Sequence, residues 1–128
     1  MTVTALARNA YQQSTKTTAS PRSVERQLLT RLTSALIAAE KARDDDKMGL
    51  ARALGKNLEF WTTVAADVAS DTNQLPAELR AQLFYLYEFT RHTTNKVING
   101  DDTASIHPLI EINQNIMQGL QGSPEGAA

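Results

Sequence analysis

Few residues of this sequence have types and spacings that could do chemistry, and most of the obvious chemistry fails on inspection. Asp44, Asp46 and Gly49 match the first, third and sixth positions of a calcium-binding EF-hand loop. Met48 then stands at the fifth position and Gly55 at the twelfth, where a bidentate glutamate is required. His92 and His107 are the two imidazoles, and neither belongs to a His-x3-His pair or an HExxH motif. GxGxxG, GxxxxGK[ST] and GxSxG are all absent. The sequence has no cysteine, so disulfides, thiolate metal sites and thiol nucleophiles fall together. The expectation is a protein without catalysis, bound metal or cofactor.

Two amides attract attention instead. In "IEINQNIMQGL", Asn113 falls in the middle of an apolar helical stripe made by Leu109, Ile112, Ile116, Met117 and Leu120. Asn57 sits in the same way among Leu50, Trp61 and Val64. An unmet buried amide costs roughly 1 to 3 kcal/mol, so each should be paired: with the other, with a backbone carbonyl, or with a buried water. Both are therefore expected in a polar core that fixes how their two helices meet.

The elements that position these residues are helical. Val3, Leu6, Ala7, Ala10 and Tyr11 recur at helical spacing, which predicts a short amphipathic helix at residues 3–13, ended by the polar run "STKTTAS". Ser20 followed by Pro21 is a good helix start and predicts a first long helix over 21–43, with Val24, Leu28, Leu29, Leu32, Ala35, Leu36 and Ala39 as its apolar arc. A polar corner, "RDDDK", leads into a second long helix over 47–70. The turn "DTNQLP" leads into a third over 76–99, with Gly100 placed to take a left-handed conformation after it. The third carries Leu79, Leu83, Phe84, Tyr85, Leu86, Tyr87 and Phe89, more than half its circumference, and is expected to be central in a bundle. A fourth covers 108–120, with His107 in the loop before it.

No useful strand-like alternation and no repeat occurs. The expected fold is all-α: a compact bundle of four longer helices plus the short N-terminal one, antiparallel because the connections are short. The length suits a single helical domain over 1–120, followed by a disordered C-terminal tail at 121–128. Apolar content of 41% with 21% charged residues is that of a globular chain. Neither a secretory signal nor an 18-residue apolar run is visible, so membrane insertion is not expected and the chain reads as cytoplasmic.

Two surfaces remain. Arg22, Arg26, Arg31, Lys41, Arg43, Arg52 and Lys56 are the nucleic-acid candidates. They are interleaved with Glu25, Glu40 and Asp44, in a chain of net charge −1, which fits a solvated helix face better than an RNA-binding patch. The other surface is apolar. Tyr85, Phe89 and His92 share a flank of the third long helix, and Ile37 and Phe60 lie at or beyond the edges of their own stripes. Together they suggest a groove for an amphipathic partner helix. The plainer alternatives are that the N-terminal helix covers these residues with Leu6 and Tyr11, and that His92 is half-exposed at a core edge.

The motifs also carry a resemblance. "AYQQ", "SPRSVERQLLTRLTSAL", "LARALGKNLEFWTTVAADV", "NQLPAELRAQLFYLYEFTRHT" and "PLIEINQNIMQGL", in this order, resemble the flagellar biosynthesis regulator FlaF family. The most specific parts are the segment from Asn57 to Trp61, Asn73 with Leu75-Pro76, Leu79-Arg80-Ala81, Arg91-His92, Ile112-Asn113 and Ile116-Met117-x-Gly119-Leu120. The resemblance implies a non-enzymatic cytoplasmic protein whose main partner is flagellin, acting as a flagellin secretion chaperone and promoting flagellin production, with FlbT as a further partner. The alternative it leaves open is post-transcriptional control of flagellin synthesis, on the messenger RNA directly or through FlbT.

Overall fold

In the computed structural model the backbone is described for residues 22–127 and the side chains for residues 26–118. The described chain is all-α, in four helices: α1 Arg22–Lys41, α2 Lys47–Ala69, α3 Ala77–Ile98 and α4 His107–Ala127. The N-terminal helix expected at 3–13 and the Ser20-Pro21 start lie outside these residues. So do the side chains of the tail at 121–128, although the α4 backbone runs past Leu120 to Ala127.

Two apolar clusters fill the bundle at different heights. One holds Leu29, Trp61, Val68, Leu75, Leu83, Leu86, Ile112 and Ile116. The other holds Leu36, Leu50, Ala53, Leu54, Ile106, Leu109 and Ile110. The first cluster takes the earlier core residue of α1 and the later ones of α2, then the earlier ones of α3 and the later ones of α4. Successive helices therefore run in opposite directions. Between the clusters each helix contributes buried polar side chains: Thr33 from α1, Asn57 from α2, Thr90 and Thr94 from α3 and Asn113 from α4.

Local chemistry explains the corners. Asp46 caps α2 by accepting from the Gly49 N–H at 2.9 Å, and a Cβ at Gly49 would overlap that carboxylate. The acidic corner thus serves a helix start. At the α2–α3 turn, the Asn73 carboxamide oxygen accepts from the Leu75 N–H at 3.0 Å while its NH2 reaches Asp67 at 3.3 Å. Arg80 donates Nε–H to the Leu75 carbonyl at 3.1 Å. This fixes Leu75 in the core and Pro76 at the start of α3.

α3 ends in a Schellman motif. The Gly100 N–H donates to the Val97 carbonyl and the Asp101 N–H to the Lys96 carbonyl, both at 3.0 Å, with Gly100 at φ +99°. A Cβ at Gly100 would meet nothing within 4 Å, so Gly100→Ala costs only the backbone strain. Urea unfolding of this variant should show a loss of about 1 kcal/mol; an unchanged midpoint would mean the turn relaxes freely.

Asp101 then organises the α3–α4 loop. Its Oδ1 accepts from the Thr103 hydroxyl at 2.6 Å and the Thr103 N–H at 3.0 Å, and its Oδ2 lies 3.9 Å from Lys96 Nζ. The Thr103 hydroxyl bond first, then the Thr103 N–H, with help from the Lys96 charge, hold the Asp101 carboxyl below the usual carboxylate range. A carboxyl whose pKa is lowered on folding stabilises above its unfolded pKa, and that stability fades as pH falls through the folded value. Asp101→Asn should therefore be less stable than wild type at neutral pH, with the gap closing in strong acid. A gap that stays constant with pH would assign the loss to geometry instead of ionisation.

Candidate functional site

The two amides are fully buried and bonded to each other. Asn113 on α4 donates Nδ2–H to Asn57 Oδ1 on α2 at 2.8 Å, and Asn113 Oδ1 accepts from the Trp61 indole N–H at 3.1 Å. Asn57, Trp61 and Asn113 all have no exposed surface. This relay ties α2 to α4 through the middle of the bundle, although these two helices are not among its most extensively contacting pairs, which are α2–α3, α1–α4 and α1–α2. Trp61 packs edge-on against Phe60, with ring centroids 5.6 Å apart. The indole was read from the sequence only as apolar surface. Its single N–H, four residues after Asn57 and therefore on the same helix face, is the signal that could have placed it in the network.

Of the five residues proposed for a partner groove, the structure separates three from two. Ile37 on α1 packs against the cluster near Leu54 and Leu109, while Phe60 on α2 packs against the cluster near Trp61. Phe89 on α3 touches both clusters and fills the core edge. Tyr85 and His92, one helical face apart by seven residues, are exposed on α3. Three of the five thus pack against the core clusters and two stand exposed on α3.

What they frame is the outer face of α3. Ala81, Phe84, Tyr85, Glu88, Arg91, His92, Asn95 and Lys96 are all exposed there. Phe84 is 36% exposed and Tyr85 51% exposed, while Tyr87, half-buried, stacks obliquely on Phe84 with ring centroids 5.4 Å apart. α3 is not the central helix its apolar perimeter predicts: its one extensive helix neighbour among the described residues is α2. The aromatic surplus faces outward instead. Its N-terminal half is aromatic and its C-terminal half polar, with Arg91 and Lys96 supplying positive charge and His92 a polar ring. Phe84 was missed as a site residue. Its wheel companions Glu88, Arg91 and Asn95 mark that flank as solvent-facing and could have singled it out.

His107 is exposed and its backbone N–H donates to the Ser105 hydroxyl at 3.1 Å, a helix-start arrangement. The basic residues Arg26, Arg31, Lys41, Arg52 and Lys56 are exposed, whereas Arg43 is turned to Glu40 and to the Asp101 carbonyl, at 3.3 Å in each case. Among the described residues no helix is long and apolar enough to cross a membrane.

Comparison with curated proteins and with solved structures found no match. Comparison with protein families did: the sequence matches the family described as "Flagellar protein FlaF" over residues 7–120, nearly the whole of its 128 residues. The match spans all four helices through Leu120, including the buried Asn57–Asn113 pair and the outward aromatics of α3, and the chain belongs to the FlaF family of flagellar proteins.

Proposed function

We propose that this protein binds unassembled flagellin in the cytoplasm and escorts it toward export, thereby promoting flagellin production, with no catalysis of its own. The observation that supports this reading is the outward face of α3, where Phe84 and Tyr85 stand exposed on a helix that already buries Leu83 and Leu86 in the core. Large aromatics on solvent-facing turns of a small bundle suit the capture of an amphipathic partner helix by its apolar side. Flagellin's terminal segments, which become helical and apolar on one side in the filament, need such a cover before assembly. A direct role on messenger RNA has less support: among the described residues, the exposed basic side chains of α1 and α2 have no aromatic classed as exposed beside them for base stacking.

Calorimetric titration of monomeric flagellin into the protein at low and high salt tests this reading. Saturable, weakly salt-dependent binding with a negative heat-capacity change is expected. Absence of flagellin binding would overturn it. Tight binding of the flagellin leader RNA that falls steeply with salt would put the protein on the messenger instead.

A further inference from the structure

The outer face of α3 carries a regular seam. Phe84, Glu88, Arg91, Asn95 and Ile98 are all exposed and follow one another at alternating intervals of four and three residues. They fall within about 80° of one another around the helix and cover about 21 Å of its length. Tyr85 flanks the seam at one end. Resting on the reading that this face takes a flagellin helix, we propose that the helix seated here spans roughly four turns. It is apolar at both ends of the seam and carries, between them, a basic and an acidic residue one turn apart.

Three observations carry this. The first is spacing. Intervals of four and three keep a stripe turned toward one neighbour over successive turns, which is how one helix runs alongside another. The second is the pair of apolar ends. Phe84 and Tyr85 stand at one of them. At the other, Ile98 in the last turn of α3 is 50% exposed and walls a cavity of about 130 Å³ together with Leu50, Leu54 and Val97. A cavity of this order accepts one small apolar group. An apolar side chain of the partner therefore finds contact at Ile98, as another does at the two rings.

The third is charge. Glu88 and Arg91 lie between the two apolar ends, both exposed, and among the described residues neither is in an ion pair. A helix seated along the seam passes over both. Opposite charges above them are favoured and like charges are rejected, so the pair selects a basic residue over Glu88 and an acidic one over Arg91. Because the two contacts are of opposite sign, their effects on long-range attraction largely cancel. Binding by the wild-type protein therefore stays weakly salt-dependent.

Flagellin titrated into full-length variants tests the seam. Ile98→Gln keeps much of the side chain's bulk but removes its apolar surface, and should weaken binding about tenfold with the helical circular dichroism unchanged. Arg91→Glu should weaken it by about the same factor at low salt, mostly through slower association, and by less at high salt. Because the protein has no cysteine, single thiols report how far the partner reaches. Ala81→Cys and Asn95→Cys should both be alkylated more slowly in saturating flagellin, whereas Glu111→Cys on α4 should not. Flagellin binding that depends on Phe84 but ignores either Ile98→Gln or Arg91→Glu would overturn the proposal and leave flagellin capture by α3 standing. Absence of flagellin binding would overturn both. Protection of Asn95→Cys that rises with the protein's own concentration, without flagellin, would also overturn the proposal and give the seam to a second copy.

Discussion

Asn113→Leu is expected to be the most damaging single change in the core, although it replaces an amide by an apolar side chain of similar size in apolar surroundings. The substitution removes the acceptor of the Trp61 indole N–H and the donor to Asn57 Oδ1, both fully buried. Each stranded partner costs roughly 1 to 3 kcal/mol, and the gain from burying a leucine does not recover both, so a net loss of about 2 to 4 kcal/mol is expected in urea unfolding. Asn57→Leu should cost less. Asn57 makes only the one bond to Asn113, and its own Nδ2 finds no hydrogen-bond partner among the described residues. Removing it therefore strands one group and relieves another. The double variant should be less destabilised than the sum of the two single variants, since the Asn57–Asn113 bond is lost once and not twice. An Asn113→Leu protein more stable than wild type would show that the relay does not hold α2 to α4.

That prediction depends on how the amides pair, which the sequence leaves open. Their position in apolar stripes shows that Asn57 and Asn113 need partners, because helical periodicity places each among leucines and isoleucines and burial makes an unpaired amide expensive. It does not say that they are each other's partners, since a wheel describes one helix and says nothing of the register between two. The helix limits were more legible, because they are set by local chemistry. Gly100 at the end of α3 and the Asn73–Pro76 turn before it carry their signals within a few residues. α1 stops at Lys41, slightly before the sequence spacing ends it at residue 43. The Asp45 and Asp46 N–H groups both turn back to the Ala42 carbonyl, and Asp46 is committed to capping α2.

The position of α3 illustrates the limit of the same periodicity. An apolar perimeter of more than half a turn measures how much of a helix avoids water, not how many neighbours it has. The perimeter fits a central helix with several neighbours and a peripheral one with an outward binding face equally well. The neighbours decide between them: α3 lies mainly against α2, Leu83 and Leu86 are buried, and Phe84 and Tyr85 are left outside. For the same reason Ile37, Phe60 and Phe89 look alike with Tyr85 and His92 on their own wheels, yet the first three pack against the core clusters while Tyr85 and His92 are exposed.

The outward aromatics give the second large expected effect. Phe84→Ala and Tyr85→Ala each remove ring surface that is already partly in water, so the free protein should lose under about 1 kcal/mol of stability, as surface positions do. If this face captures a flagellin helix, the same rings become buried on binding, and aromatic anchors at the centre of an interface typically carry 2 kcal/mol or more. Each single substitution should then weaken flagellin binding by roughly 30-fold, and the pair by more, with the helical circular dichroism and urea midpoint nearly unchanged. Phe84→Ala tests more than one ring, because it also frees Tyr87 from its 5.4 Å contact. His92→Ala, on the same face but polar, should cost less than either aromatic substitution. Glu111→Lys, exposed on α4, is the control. Equal binding by Tyr85→Ala and the control would remove α3 as the docking face and leave the aromatic surplus without a function. A thirtyfold loss at Tyr85 beside a silent Glu111 would place the partner on the outer face of α3.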